Sequence, residues 1–345
     1  METKNWVDKQ NKTTFSYLEN IPFRNQIKNR LEQLWDYDKV SAPFKEGDYT
    51  YFYKNSGLQN QYVVYRKKEG YEAELFLDPN TFAKDGTTSL AALNFSKSGK
   101  LLAYSISEGG SDWRKIIVMD VMDKKIIEDT LVDVKFSGVQ WKLDEGFFYS
   151  SYDKPEGSEL SQMTDHHKLY YHKLGTHQSE DVLMFGGLPE QKHRYVGGSV
   201  TRDGKYLFIS ASKTTSGNIS LLKDLSILKS PLLKVDEDYN TDSYLLDAIK
   251  DNLYIVTNSN APNKKVVKVN AKDPQEKNWE DFILETEHVL LPISGGGYFF
   301  ARYIVNVMTK VIQYDFKGNN MGEIKLPGIG TAGGWNGKME DEILY

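Results

Sequence analysis

Two segments come near the Gly-x-Ser-x-Gly elbow that lifts a serine hydroxyl toward its base: Gly109-Gly110-Ser111-Asp112-Trp113 and Gly197-Gly198-Ser199-Val200-Thr201. Each lacks the final glycine and lies among predicted strands and turns, whereas the elbow needs a strained strand-to-helix junction, so neither predicts a nucleophile. Histidines gather at His166, His167, His172 and His177, with His193 beyond and Asp165 alongside. A metal site needs such side chains to converge, and this spacing matches no metal-binding pattern. The odd separation of His167 and His172 would put them on opposite faces of a continuous strand. Surface or strand-end histidines are therefore expected, without a metal. Gly328, Gly330 and Gly333 satisfy Gly-x-Gly-x-x-Gly, but that motif holds a pyrophosphate only where a helix begins within it. Here Gly334-Trp335-Asn336-Gly337 reads as a turn, and Gly295-Gly296-Gly297 reads as another. No cofactor is expected. A pair of glycosidase carboxylates would have to converge in space, which spacing alone does not show.

The elements that would position these residues fall into two regions. After Pro22, Phe23, Ile27, Leu31 and Leu34 recur at helical spacing, which predicts a helix of about three turns; a weaker one is expected over Trp6 to Glu19. From Phe44 the pattern changes to short alternating strands bounded by Gly, Asp, Asn and Lys turns. Turns recur at Gly47, Gly99, Gly146, Gly204, Asn252, Gly296 and Gly337, at intervals of roughly 40 to 60 residues. Each of the first six precedes a strand: Tyr49 to Tyr53, Leu101 to Ile106, Phe147 to Tyr152, Tyr206 to Ala211, Leu253 to Thr257 and Tyr298 to Tyr303. Second strands are expected at Lys115 to Asp120, Lys168 to Leu174, Lys265 to Val269 and Val311 to Asp315. Several strands per unit at this spacing predict an all-β, seven-bladed β-propeller. It would have six blades and the first strand, Glu342 to Tyr345, of a truncated seventh, behind an N-terminal helical segment. The expected domains are 1–43, helical, and 44–345, propeller. A β-sandwich with fortuitous turn spacing is the competing architecture.

Bulk properties narrow the function classes. Charged residues make up 26% of the chain and nearly balance, with a formal net charge of -5, so no global field favours nucleic acid or an anionic membrane. No apolar run approaches the ~18 residues of a spanning helix. The expectation is a soluble protein, cytoplasmic or periplasmic, with neither nucleic acid nor membrane as partner. Without cysteine there is no disulfide, no thiol nucleophile and no thiolate metal site.

Segments along the whole chain resemble one family in the right order. Leu18-Glu19-Asn20-Ile21-Pro22-Phe23-Arg24, Leu34-Trp35-Asp36-Tyr37 and Asn55-Ser56-Gly57-Leu58-Gln59-Asn60-Gln61 are similar to the opening of prolyl oligopeptidases. So are Gly110-Ser111-Asp112-Trp113, Val134-Lys135-Phe136-Ser137, the run from Leu169 to Asp181, and Leu326-Pro327-Gly328-Ile329-Gly330. The resemblance implies a propeller that caps an α/β-hydrolase domain, admits short proline-containing peptides to a narrow polar tunnel and belongs to a serine peptidase cutting after proline. It also implies that Ser, Asp and His of the triad lie in the hydrolase domain, beyond Tyr345, so that this chain has no catalytic residue and is clipped at both ends. By the same resemblance Phe136 is an aromatic wall for a residue upstream of the scissile proline, and Val196 lines the same pocket. Asp112 would face the hydrolase domain and pair with an arginine there. A stand-alone propeller that binds proteins or peptides is the rival reading.

Overall fold

The computed structural model describes residues 2–154, 164–335 and 337–345. Helix α1 spans Glu2–Glu19 and helix α2 spans Arg24–Trp35. The first runs without Gly or Pro until Asn20-Ile21-Pro22, where the proline ring excludes helical backbone at the residue before it. Neither helix buries a single residue. Neither is long and apolar enough to cross a membrane.

The remainder is a β-propeller of six antiparallel blades, each ordered first strand to fourth. Blade 1 pairs Phe44–Glu46, Tyr49–Asn55, Val63–Lys68 and Glu74–Leu77; the short strand Lys39–Val40 also pairs with Tyr49–Asn55. Blade 2 has Thr88–Phe95, Leu101–Glu108, Trp113–Asp120 and Leu131–Lys135, with Lys125–Ile126 appended. Blade 3 has Gln140–Lys142, Gly146–Ser151, Lys168–Lys173 and Val182–Phe185. Blade 4 has Tyr195–Val200, Tyr206–Ser212, Ile219–Asp224 and Leu232–Asp236. Blade 5 has Ser243–Ile249, Asn252–Thr257, Lys265–Asn270 and Glu280–Ile283, and blade 6 has Leu291–Gly295, Tyr298–Val305, Met308–Tyr314 and Asn320–Glu323.

In blades 2 to 5 the second strand is covered on both faces by neighbouring blades, which is why it reads as a near-continuous apolar run. Every residue of Gly146–Ser151 is buried, as are Leu253 to Thr257. Five apolar clusters fill the five joints between consecutive blades. That between blades 2 and 3, for example, packs Ile116, Val118 and Leu131 against Phe147 and Tyr149. The recurrent turn glycines have a steric cause at Gly99. Its φ of 72° lies in the left-handed region, and an added Cβ would sit 2.4 Å from the Gly47 nitrogen of the preceding blade's turn.

The expected strand at Glu342 to Tyr345 does not form, and no seventh blade is seen among the described residues. Residues 337–345 close a turn instead: Asp341 N–H donates to the Lys338 carbonyl, and Lys338 N–H to the Asp341 carboxylate. The Lys338 carbonyl then accepts from Gly296 N–H, and Leu344 folds back over Gly295 and Gly337. Without a partner ladder, a short apolar run does not make a strand. Asn336, part of the turn expected over 334–337, lies outside the described residues.

Candidate functional site

Because strands alternate in direction, one end of the propeller carries every turn from second to third strand and every crossing from fourth strand to the next blade. Asp112 lies in such a turn of blade 2, and Phe136 in the crossing from blade 2 to blade 3. Val196 stands near the start of blade 4, just after the crossing from blade 3. All three residues singled out from the sequence thus belong to this end, in very different environments. Asp112 is exposed, one residue before Trp113, whose N–H is held by the Ser111 hydroxyl at 3.1 Å. Phe136 is 46% exposed, whereas the Val196 side chain is 2% exposed and packs in the joint between blades 3 and 4.

Phe136 stands in an aromatic group drawn from three blades. Its ring meets Tyr152 edge-on at 6.3 Å and Tyr195 at 5.9 Å. The ammonium of Lys135 lies 5.3 Å from the Phe136 ring and 4.9 Å from that of Trp113, and the Arg194 guanidinium lies 5.5 Å from Tyr195. Lys135 and Trp113 are register partners across adjacent strands, which sets this stack. Tyr152 donates its hydroxyl to the Arg194 carbonyl, and burial raises its pKa to about 12, so it stays a neutral donor. The group offers rigid aromatic area flanked by cations, suited to holding an apolar ring or a peptide backbone.

Beneath it lies His167, with none of its surface exposed. Its ring stacks on Tyr152 at 4.3 Å. Val196 N–H donates to Nδ1 at 2.9 Å, so the proton sits on Nε2, which donates to the Lys135 carbonyl at 2.9 Å. Burial holds its pKa down at about 4, so the ring is neutral. His172 and His193 are buried as well. Surface placement therefore fails for these three histidines, although two of them do stand at strand ends: His167 lies one residue before Lys168–Lys173 and bonds to both blade 2 and blade 4, and His172 is the last residue but one of that strand and meets Glu128 of blade 2. His172 Nδ1 lies 2.7 Å from Asp181 and Nε2 3.1 Å from Glu128. Burial alone would lower its pKa; the two carboxylates outweigh that and raise it to about 9, giving an imidazolium. His193 contacts the Gln191 carbonyl at 2.9 Å and the Tyr239 hydroxyl at 2.6 Å. The ring nitrogens of all three are thus engaged by protein groups.

No serine elbow forms at either near-match: Ser111 is in a turn and Ser199 is within a strand. The contact of His177 with the Ser179 hydroxyl at 2.8 Å caps the turn Gln178–Glu180, at the opposite end of the blade from Phe136. No helix follows Gly328, Gly330 and Gly333 among the described residues.

The opposite end of the propeller axis is charged. A cavity of about 450 Å³ is lined there by residues of blades 1 to 4, among them Phe44, Leu93, Trp141 and Arg202, together with Lys338. Around it Lys338 pairs with Glu46 at 2.7 Å, and Glu340 reaches Lys97 at 3.6 Å and Arg202 at 3.7 Å. Burial raises the pKa of Glu46 despite the Lys338 hydrogen bond.

Against known proteins, residues 1–345 match the family model described as prolyl oligopeptidase, N-terminal beta-propeller domain. The chain belongs to this family. The prolyl endopeptidases of Elizabethkingia miricola and Elizabethkingia meningoseptica are 52% and 50% identical to it over 345 residues. The match takes in 100% of this chain and 49% of each relative, so the chain spans about half the length of the curated relatives it matches. Among solved structures, prolyl oligopeptidase B of Galerina marginata, bound to a 35mer hydrolysis and macrocyclization substrate, superposes with a TM-score of 0.88 at 28% identity. That alignment covers 99% of this chain and 51% of the other. Oligopeptidase B of Leishmania major, at 17% identity and TM-score 0.69, shares the fold. What is present is the N-terminal β-propeller domain of this family.

Sequence reasoning passed over Lys135, Tyr152, Arg194 and Tyr195, and it weighed His167 only as one of a histidine group. Lys135 stood inside a segment already singled out, and Tyr195 next to Val196; the other three join the site only through the blade stacking.

Proposed function

We propose that this propeller gates and helps hold the substrate of a proline-specific serine endopeptidase or oligopeptidase that cleaves short peptides after proline, the serine, aspartate and histidine being carried by an α/β-hydrolase domain. The observation that carries the reading is the match of the whole chain to the propeller half of prolyl endopeptidases. The exposed aromatic group around Phe136 supports it, since it lies at one end of the blades where a second domain would meet it. Phe136 is the aromatic wall beside the residue upstream of proline, with Tyr195 and Lys135 at its flanks. Val196 shapes the same pocket from below, and the exposed Asp112 carboxylate pairs with a cation of the hydrolase domain. The charged axial cavity and its ion pairs form the tunnel that excludes folded proteins. The apolar faces of α1 and α2 dock on the hydrolase domain as well.

The test is a fusion of this chain to the hydrolase half of the Elizabethkingia miricola relative. It should cleave short Gly-Pro amides and spare folded proteins. Phe136→Ala in the fusion should raise KM about tenfold with little change in kcat, as for loss of one aromatic anchor. Turnover by the unfused chain that survives active-site titration would overturn the assignment.

A further inference from the structure

Phe136 holds a backbone conformation that an aromatic residue rarely adopts. Its φ is 50°, in the left-handed region, where Cβ crowds the following carbonyl. Such a conformation persists only where the surroundings over-determine it. The carbonyl of Lys135 belongs to the peptide unit that leads into Phe136, so whatever grips that oxygen restricts the rotation that aims the ring. His167 is what grips it, with Nε2 at 2.9 Å.

The same imidazole also holds a second backbone group. Val196 N–H donates to Nδ1 at 2.9 Å, and His167 N–H is itself fixed to the His193 carbonyl at 2.9 Å. One ring at the edge of blade 3 therefore ties blade 2 to blade 4. Tyr152, stacked on that ring, then presents its edge to Phe136. An apolar side chain of equal volume would fill the space but leave a buried carbonyl and a buried amide unpaired, which general energetics disfavours. A side-chain amide, with one acceptor and donors beside it, can replace both contacts.

We infer that His167 is a positioning residue: by bridging the Lys135–Phe136 peptide unit to the Val196 amide it sets the direction in which Phe136 faces a bound peptide. The inference rests on the peptide-facing role proposed for Phe136, and it extends that role to a side chain that never touches the peptide.

The experiment uses the 345-residue chain with 4-fluorophenylalanine replacing Phe136, read by fluorine NMR and by amide hydrogen exchange. His167→Phe should shift and broaden the fluorine line and speed Val196 amide exchange at least tenfold, while His167→Gln should return both close to the parent values. A His167→Phe chain that leaves both signals unchanged would overturn the inference. Should that variant fail to fold, nitrogen NMR of the parent decides: the Nε2–H tautomer is required, and an Nδ1–H tautomer sinks the idea. If Phe136→Ala leaves KM unmoved in the fused enzyme, the peptide-facing reading falls while the bridge itself stands, so the two failures are distinguishable.

Discussion

Helices α1 and α2 and the joint between blades 2 and 3 make opposite use of similar side chains. Ile27, Leu31 and Leu34 line one face of α2, and each is at least half exposed. In the joint, Phe147 is wholly buried against Trp141 and Tyr149, and charged groups are enclosed beside it. Glu128 leaves blade 2 to accept from Gly175 N–H and to meet His172, while Gln178 of blade 3 exchanges hydrogen bonds with both the N–H and the carbonyl of Val132. Asp181, on the other side of the imidazolium, accepts from the Tyr149 hydroxyl at 2.7 Å. An apolar face stabilises a fold only when something covers it, and the joint is covered by construction because each blade needs a neighbour.

The comparison is broken most directly in the joint. Phe147→Ala should cost about 4 kcal/mol, the sum of lost transfer energy and an uncollapsed cavity in a site with no exposed surface. Urea denaturation followed by circular dichroism measures it. A loss under about 1 kcal/mol would mean that the blades are less interdependent than their packing shows.

A somewhat smaller effect is expected from the ion cluster, and it has a pH signature. The folded pKa of His172, about 9, lies above the usual histidine value of 6.5, so the native state holds a proton that the unfolded chain gives up between these values. Its contribution is complete below pH 6.5 and declines as pH rises through 9. A shift of this size in a buried group corresponds to about 3 kcal/mol. The urea midpoint should therefore fall between pH 6 and pH 9.5, and in His172→Gln that alkaline decline should be strongly reduced. The groups facing the imidazole are Asp181 and Glu128, with Tyr149 behind Asp181, and Tyr149 has its own pKa raised by burial and by Asp181. It thus stays protonated over the window measured. An identical alkaline decline in the variant would assign it to other groups.

The two regions also differ in how far they could be read in advance. Within a blade, strands followed from local signals: a turn glycine before Phe147-Phe148-Tyr149, or a turn asparagine before Leu253-Tyr254-Ile255-Val256. The second helix followed from its period after Pro22, while the first, expected over Trp6 to Glu19, begins four residues earlier at Glu2. The joints were not legible, because their partners are far apart in the chain: Glu128 meets His172 across 44 residues, and His167 meets Lys135 across 32. Only the stacking of whole blades brings them together. The depth of the histidines was misjudged for this reason, since spacing along the chain does not show that both faces of a blade are interior. Glu342 to Tyr345 failed differently: Ile343-Leu344-Tyr345 is a short apolar run of the kind found in strands, yet the backbone found a turn and the glycines of blade 6 before any pairing partner. At the aromatic group, resemblance supplied Phe136, while the bridge beneath it came from three-dimensional contacts alone.

The smallest expected effect lies at the other pole of the comparison. Removing residues 2–35 takes away both helices and a large exposed apolar area, but no buried side chain. Their clearest tie to the blades is at the end of α2, where the Lys39 ammonium donates to the Trp35 carbonyl at 2.6 Å and the Gly57 carbonyl at 2.8 Å. Gly57 is required at that contact, because a Cβ would fall 2.0 Å from the Asp36 carboxylate and its φ is 122°. Lys39 and Gly57 remain after the deletion, so blade 1 keeps its edge strand. The urea midpoint of the blades should change by no more than the equivalent of about 0.5 kcal/mol, the range of surface changes, while the helical signal near 222 nm disappears. A loss above about 1 kcal/mol would show that the helices cover part of the propeller, and the contrast between the two regions would then be one of degree.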